Sequence, residues 1–486
     1  MKLVLRGHDY LYAAEQLALS LFPDRTLTAA AERAADEEGI ESCLNTENGN
    51  LCVRTTIALQ TEAGLTTHIV ERTSPADADE RARRHLVQRC LYDCAVQLLP
   101  VPPAWGALSG VRPTKLVTAA LLAGQTRQQA EDALRTEYAV TPERARLAAD
   151  CGVASVRALE RTSPEELSVY VGIPFCPTRC VYCSFIARSC ERERHTLGRY
   201  LDALIDEIAY TGQLLRQSGR RIATVYFGGG TPTTLDSAQM QRLMETLETH
   251  FDLSHRLEYT IEGGRPDTLD SEKLALMRRL GADRMSINPQ SMNDHVLALA
   301  GRKHSAAMVE QAVRQAREAG FKELNMDLIA GLPGDDFDSF AASLARVMAL
   351  QPENITVHTL ALKKAAALYE QRDGLPPVET VARMVDHAWQ TLRGAGYVPY
   401  YLYRQKYMSG SFENIGWCIP GHECLYNIYM MEEQQSILAL GGGGVTKLVR
   451  GSHIERWNGP KDPLQYIARP EELRRKKDEF FSALAL

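Results

Sequence analysis

The sequence predicts an α/β protein: a parallel sheet, curved or closed into a partial barrel, flanked by two smaller regions. Three observations predict it. Six short apolar runs between residues 166 and 395 alternate with amphipathic stretches of helical period. Residues able to do chemistry follow those runs, where sites in such sheets lie. The chain's 486 residues exceed one ordinary domain, so two or three are expected.

The flanking regions come first and last. Residues 1–165 read as an N-terminal α+β domain whose residues assign it no role. Leu3-Val-Leu reads as a strand, Tyr10 to Leu21 as an amphipathic helix, Leu51 to Leu59 and Thr66 to Glu71 as paired strands, and Asp77 to Leu99 as a helix. Cys90 and Cys94 share a face of that last helix; a core role outweighs a metal pair, since no His or further Cys lies close in sequence. The Trp105 to Lys115 loop carries Arg112 and Lys115, which can meet an acidic ligand or cap the next helix. Helices follow from Thr114, Arg127 and Thr141. Residues 396–486 read as a separate, smaller C-terminal domain, rich in tyrosine at Tyr397, Tyr400, Tyr401 and Tyr403, with Cys418, His422, Cys424 and a glycine run from Gly441 to Gly444.

In the core, 166–395, the strands are Val169 to Ile173, Ile222 to Phe227, Leu257 to Glu262, Asp283 to Ile287, Leu324 to Ile329 and Asn354 to Leu360. Asp236 with Gln239 forms a capping box, Ser305 caps a later helix, and Gly281 and Gly320 end two helices.

Composition narrows the function classes. The chain is 45% hydrophobic and 24% charged, ordinary for a soluble globular protein, and its net charge of −6 argues against general nucleic-acid binding. No apolar run is long enough for a membrane span. The first residues turn polar at Arg6 and Gly7, unlike a secretion signal. Eleven cysteines then read as reduced thiols, and a cytoplasmic monomer is expected.

The first core run leads into Cys176-Pro-Thr-Arg-Cys180-Val-Tyr-Cys183. C-x3-C-x2-C lets one loop turn three thiolates toward a point, and thiolates ligate soft metals and iron–sulfur clusters. Three structural cysteines, or a zinc site short of a ligand, are the plainer readings. After the second run comes Gly228-Gly229-Gly230-Thr231-Pro-Thr, which lacks the P-loop lysine and the dinucleotide spacing but lets backbone approach a ligand closely. Glu262 ends the third run, Gln290 follows the fourth, and Asp327 lies near the end of the fifth.

The hook, with Tyr182 before Cys183, resembles the radical S-adenosylmethionine superfamily. The run Gly-Gly-Gly-Thr-Pro-Thr, then Ile261-Glu262, Arg284-Met-Ser-Ile-Asn-Pro-Gln290 and Asn325-Met-Asp327-Leu-Ile-Ala-Gly-Leu-Pro333, is similar to the oxygen-independent coproporphyrinogen III oxidase group, HemN-like. The N-terminal region, Tyr403-Arg-Gln-Lys and Phe412-Glu-Asn are most similar to its HemZ branch, the coproporphyrinogen dehydrogenases. The resemblance implies a radical S-adenosylmethionine partial (β/α)6 barrel with a small HemN-like C-terminal domain. It implies a [4Fe–4S] cluster on Cys176, Cys180 and Cys183, with S-adenosylmethionine on the open iron. Tyr170, Gly229, Glu262 and Val445 would touch that molecule; Tyr182, Gly230, Thr231, Gln290, Arg302, Asp327 and Ala361 would touch a second one or the substrate-side ligand. The implied reaction is oxidative decarboxylation of coproporphyrinogen III to protoporphyrinogen IX in haem biosynthesis, with an electron donor and an electron acceptor as partners. Two positions depart from the oxidase pattern: Phe185 replaces a fourth cysteine and Gly172 a histidine. The haem-chaperone branch, HemW-like, also lacks that cysteine. A haem carrier using His422, and a radical methyltransferase, are the alternatives.

Overall fold

The computed structural model describes residues 1–485 except 24, 63, 186, 371, 406–411 and 452. Two compact units divide the chain, Met1–Ala149 and Asp150–Leu486.

The first unit holds β1 (Lys2–Arg6), α1 (Leu11–Leu21), β2 (Thr28–Ala29), β3 (Gly39–Glu47), β4 (Asn50–Thr61), β5 (Gly64–Pro75), α2 (Glu80–Ala95), α3 (Thr114–Leu122) and α4 (Arg127–Tyr138); α5 (Pro142–Leu159) runs through the division. The sheet order is β2-β1-β3-β4-β5. Strand β3, absent from the sequence reading, lies between β1 and the expected β4–β5 pair. Helix α2 covers this sheet, its Leu91, Cys94 and Ala95 packing with Leu17, Ile40 and Ile57. The Cys90 thiol donates to the carbonyls of Val53 and Val70, and Cys94 to that of His68, each at 3.3 Å. Both thiols are therefore part of an apolar core, with burial pushing both above the ordinary thiol range.

The second unit begins with six strand–helix steps. They comprise β6 (Glu166–Ile173), a short pair β7 (Phe175–Cys176) and β8 (Arg188–Ser189), α6 (Arg194–Ser218), β9 (Arg221–Gly229), α7 (Ser237–His250), β10 (Glu258–Glu262), α8 (Ser271–Arg279), β11 (Arg284–Ser286), α9 (Asp294–Leu299), α10 (Ala306–Glu318), β12 (Glu323–Ala330), α11 (Phe337–Ala349), β13 (Asn354–Thr359) and α12 (Val378–Gly394). The rest is β14 (Val398–Arg404), β15 (Glu413–Cys418), α13 (Leu425–Glu432), β16 (Ile437–Gly441), β17 (Val445–Arg450), β18 (His453–Asn458), α14 (Pro463–Ile467) and α15 (Pro470–Leu484).

Local sequence explains the boundaries. The Asp236–Gln239 capping box opens α7 and Ser305 caps α10. Gly281 and Gly320 follow α8 and α10 with φ of 92° and 91°, a region only glycine enters without strain. Strands β6, β9, β10, β11, β12 and β13 are parallel neighbours in chain order. The fold is mixed α/β with the expected parallel core.

The sheet continues past that core at both edges. Its full order is β14-β15-β13-β12-β11-β10-β9-β6-β16-β17-β18. Strand β15 is antiparallel to β13, and β16 is parallel to β6. The strands of residues 396–486, read from sequence as a separate unit, thus share the core's sheet. Tyr400, Tyr401, Cys424, Tyr426 and Ile437 pack in one cluster with Tyr170 and Tyr226.

Alternation along parallel strands sends every second residue to one face. Here that face is polar in three layers. Glu258, Arg284, Glu323 and Asn354 start β10 to β13; Thr260, Ser286, Asn325 and Thr356 come next; Glu262, Asp327 and His358 follow. Arg284 ties the first layer by ion pairs to Glu258 and Glu323. Asn325 ties the second, donating to Ser286 and accepting from Thr356, each at 3.1 Å. No helix among the described residues is long and apolar enough to cross a membrane.

Candidate active site

The site gathers at the C-terminal ends of the parallel strands. Cys176 lies at the end of β7, directly after β6, and Cys180 and Cys183 follow in the same loop. Backbone bonds pin that loop: Cys190 N–H donates to Cys176 O, Cys183 N–H to Cys180 O and Val181 N–H to Ala300 O, each at 3.1 Å. The loop also turns close to the glycine run after β9. A Cβ on Gly230 would fall 2.5 Å from Phe175 O and 3.0 Å from Cys176 Sγ, so no side chain fits there. Gly229 has a φ of 111°, which a larger residue could not adopt without strain.

Three buried donors face the sulfurs. The Thr231 hydroxyl lies 3.5 Å from Cys176 Sγ. Nη1 of Arg265 lies 4.0 Å, and Nη1 of Arg302 3.9 Å, from Cys180 Sγ. Burial lifts the Cys176 thiol to about 11, with Thr231 pulling the other way and the two neighbouring cysteines adding to the rise. Burial also raises Cys183. Among the described residues no three His, Cys, Asp or Glu side chains converge as on a single metal ion. Hydrogen-bond donors and cations lie instead beside the sulfurs of Cys176 and Cys180. Three soft sulfur donors with cationic surroundings fit an anionic iron–sulfur cluster. Phe185, at the fourth-cysteine position, is exposed.

The other sequence candidates fall around the hook. Arg302, buried, donates from Nη1 to the Tyr182 hydroxyl at 3.1 Å and from Nη2 to the carbonyls of Gly264 and Asn288, each at 2.8 Å. Gln290 sits at φ 69°, a strained region for a side-chain-bearing residue. Its backbone is held on both sides, N–H to Asp327 O at 2.8 Å and O from Ile329 N–H at 3.0 Å, while its Oε1 is buried with no partner. A buried acceptor left unpaired costs about 1–3 kcal/mol, so this oxygen fits a ligand donor.

Glu262 ends β10 and accepts from Tyr226 at 2.5 Å. Burial pushes its carboxyl up to about 7; the Tyr226 hydroxyl and His358 oppose the rise and Asp327 adds to it. Asp327 lies opposite. Burial raises it too, but hydrogen bonds from His358, Asn325 and Thr356 outweigh that and hold it below the usual range. Tyr226 and Tyr426 stack with ring centroids 4.4 Å apart, Tyr170 lies beside both at 6.4 and 6.2 Å, and burial raises its phenol. Gly444, just before Val445, packs against the Tyr170 ring, where a Cβ would be 3.4 Å away. Ala361 is placed only by the end of β13, one residue past Leu360.

Gly172 has a structural reason. A Cβ there would meet Gly442 O at 2.5 Å, so the glycine run after β16 occupies the space a histidine would need. The Tyr200 hydroxyl seals the approach, donating to Gly172 O and accepting from Gly442 N–H, each at 2.6 Å.

Sequence reasoning missed Tyr226, His358, Arg265 and Asp267. The first two were findable from period 2 along β9 and β13, which puts them on the face of Gly228 and Thr356. Arg265 and Asp267 lie in a turn and carry no local signal. His422, the haem-ligand alternative, lies at the opposite ends of the strands. Its Nδ1 is 2.7 Å from Glu323 Oε1, and its carbonyl accepts from Arg284 and Asn354. Cys424 nearby is buried, with its thiol donating to Glu258 at 3.2 Å.

Comparison with known proteins agrees with this geometry. Residues 170–347 match the radical SAM superfamily. The oxygen-independent coproporphyrinogen-III oxidase-like protein HemZ of Bacillus subtilis is 38% identical over 388 residues, 78% of this chain and 77% of that one. The heme chaperone HemW of a Synechocystis strain is 31% identical over 268 residues, 54% of this chain and 61% of that one. The solved structure of coproporphyrinogen III oxidase, HemN, from Escherichia coli, a radical SAM enzyme, superposes with a TM-score of 0.54 at 27% identity, over 66% of this chain and 72% of that one.

Proposed function

The chain belongs to the HemN-like group of the radical S-adenosylmethionine superfamily, and we propose that it converts coproporphyrinogen III to protoporphyrinogen IX without oxygen, a step of porphyrin and haem biosynthesis. The observation that carries this reading is the shared rim. The three-thiol hook, the glycine run, Glu262, Gln290 and Asp327 come from successive strands yet line one end of the sheet. The likeness to the oxidase-like HemZ over most of both chains supports the substrate.

A cluster on Cys176, Cys180 and Cys183 with S-adenosylmethionine supplies, when bound, a carbon-centred radical able to take a hydrogen atom from a substrate propionate. The protein's share is binding, orientation and exclusion of water. In this reading Tyr170, Gly229, Glu262 and Val445 hold one S-adenosylmethionine, and ionised Glu262 pairs with its cationic part. Tyr182, Gly230, Thr231, Gln290, Arg302, Asp327 and Ala361 hold a second molecule or the substrate side. The unpaired Gln290 oxygen takes a ligand donor there, and Arg302 reaches a carboxylate. The stacked rings of Tyr170, Tyr226 and Tyr426 keep water from beneath the site. After hydrogen removal the substrate loses carbon dioxide and gives one electron to an acceptor, leaving a vinyl group. An electron donor to the cluster and that acceptor are its protein or small-molecule partners, and the reduced cysteines suit a cytoplasmic monomer.

A second reading, a haem carrier, is favoured by one observation. Nδ1 of His422 is held by Glu323 and the side chain is partly exposed, and a carboxylate on one ring nitrogen is typical of metal-ligating histidines. Anaerobic incubation with reductant, S-adenosylmethionine and coproporphyrinogen III separates the two. A product lighter by two carbon dioxide molecules and four hydrogen atoms supports the enzyme. Released methionine without that product, together with a Soret band lost in His422→Ala, supports the carrier.

A further inference from the structure

Arg265 belongs to neither ligand set, yet it is among the most buried cations of the site, 3% exposed. Its guanidinium has no freedom left. Nε and Nη2 form a two-pronged pair with the Asp267 carboxylate, 2.9 Å each. Nη1 donates to the Thr178 hydroxyl at 2.9 Å and reaches Cys180 Sγ at 4.0 Å. Thr178 stands between Cys176 and Cys180 and itself donates to Gly301 O at 3.3 Å. The turn carrying Arg265 is fixed as well, since its carbonyl accepts from Thr268 N–H at 3.1 Å and from the Thr268 hydroxyl at 2.7 Å. Asp267 thus holds the guanidinium from behind while one N–H edge faces the hook.

A buried ion pair is a weak stabiliser, because desolvation offsets most of its attraction. Its orientation toward a sulfur ligand suggests a different use. Donors and positive charge beside a cluster's sulfurs favour its reduced, more negative state. They act strongly where the surroundings are dry. We infer that Arg265, aligned by Asp267, is a positioning residue that raises the reduction potential of the group held at Cys180, and so eases its one-electron reduction. The inference rests on the cysteines holding an iron–sulfur cluster, not on the porphyrinogen substrate.

The two partners predict shifts of opposite sign. Arg265→Gln removes the cation and leaves the Asp267 carboxylate near the cluster, so the potential falls. Asp267→Asn removes the counter-charge while its remaining side-chain oxygen still holds the guanidinium through one of the two bonds, so the potential rises. The test is anaerobic reconstitution of the full chain, iron and sulfide analysis, then a redox titration followed by electron paramagnetic resonance. The expected fall in Arg265→Gln is at least tenfold in the one-electron equilibrium, about 59 mV, at full cluster content. An unmoved midpoint in that variant overturns the inference, and so do shifts of both variants in one direction. Should Arg265→Gln retain no full cluster, Asp267→Asn decides alone: a rise supports the inference and no rise overturns it. Wild-type protein that binds no iron would instead fail the cluster reading, a separate result.

Discussion

Tyr226 donates its phenolic hydrogen to Glu262 across neighbouring strands, with 2.5 Å between the two oxygens. The pair leaves a carboxyl near pH 7 at the end of β10, because burial penalises its charge more than the tyrosine bond relieves it.

That value sets a pH dependence for ligand binding. A cationic ligand needs the carboxylate, and below about 7 most of Glu262 carries a proton. S-adenosylmethionine affinity should fall about tenfold from its high-pH plateau by pH 6, one unit below the midpoint. Glu262→Gln should bind weakly at every pH. Anaerobic equilibrium dialysis between pH 6 and 8 checks this, and affinity independent of pH in the wild type would contradict it. The sign is opposite for stability. The folded value lies above the ordinary 4.5, so the contribution present below 4.5 is lost as pH rises through about 7, over the range in which ligand binding gains.

The two cysteine groups should separate cleanly. Cys176→Ala, Cys180→Ala or Cys183→Ala should each abolish iron retention. Cys94→Ala should keep full iron content and lose some stability, because its thiol bonds the His68 carbonyl inside an apolar core. Iron and sulfide analysis of the four reconstituted variants reads this out.

Arg302→Met should leave the Gly264 and Asn288 carbonyls and the Tyr182 hydroxyl without their donor. Each buried acceptor costs about 1–3 kcal/mol when stranded. The expected result is a loss of ligand affinity of at least tenfold with the cluster retained. Ligand titration and iron analysis on one sample measure both.

Lys477 of α15 and Glu207 of α6 form a buried pair at 3.1 Å, with only 7% and 5% of their side chains exposed. Glu207 also accepts from Gly441 N–H and from the Tyr466 hydroxyl, each at 2.7 Å, which holds the glycine run against β6. Lys477→Met alone should cost about 3–5 kcal/mol in urea unfolding, because a buried carboxylate remains without its counter-charge. Adding Glu207→Gln should recover part of the loss. Gly172→Ala should destabilise the same corner, since its Cβ would strike Gly442 O.

Much of this was legible in the chain. The six parallel strands announce themselves as short apolar runs between helical stretches, and the caps at Asp236 and Ser305 mark two of the helices through local chemistry. Strand β3 was not legible: in Gly39-Ile-Glu-Ser-Cys-Leu-Asn-Thr-Glu the alternation is broken, and its place was fixed by pairing to β1 and β4. The continuation of the sheet into β14 to β18 depends on two pairings distant in sequence, β15 with β13 and β16 with β6, the latter joining Ile437 to Ser168. At the site, spacing found the cysteines and glycines. Arg265 and Gln290 owe their importance to three-dimensional placement, one to an N–H edge facing Cys180, the other to a strained backbone and a stranded oxygen.

The porphyrinogen assignment is tested most directly by coupling. Coproporphyrinogen III labelled in its propionate carboxyls is incubated anaerobically with the reduced full-length protein, S-adenosylmethionine and a one-electron acceptor. Labelled carbon dioxide and 5′-deoxyadenosine are then counted together. One carbon dioxide for each 5′-deoxyadenosine, with two vinyl groups in the final product, is the predicted result. Formation of 5′-deoxyadenosine with no labelled carbon dioxide would contradict it.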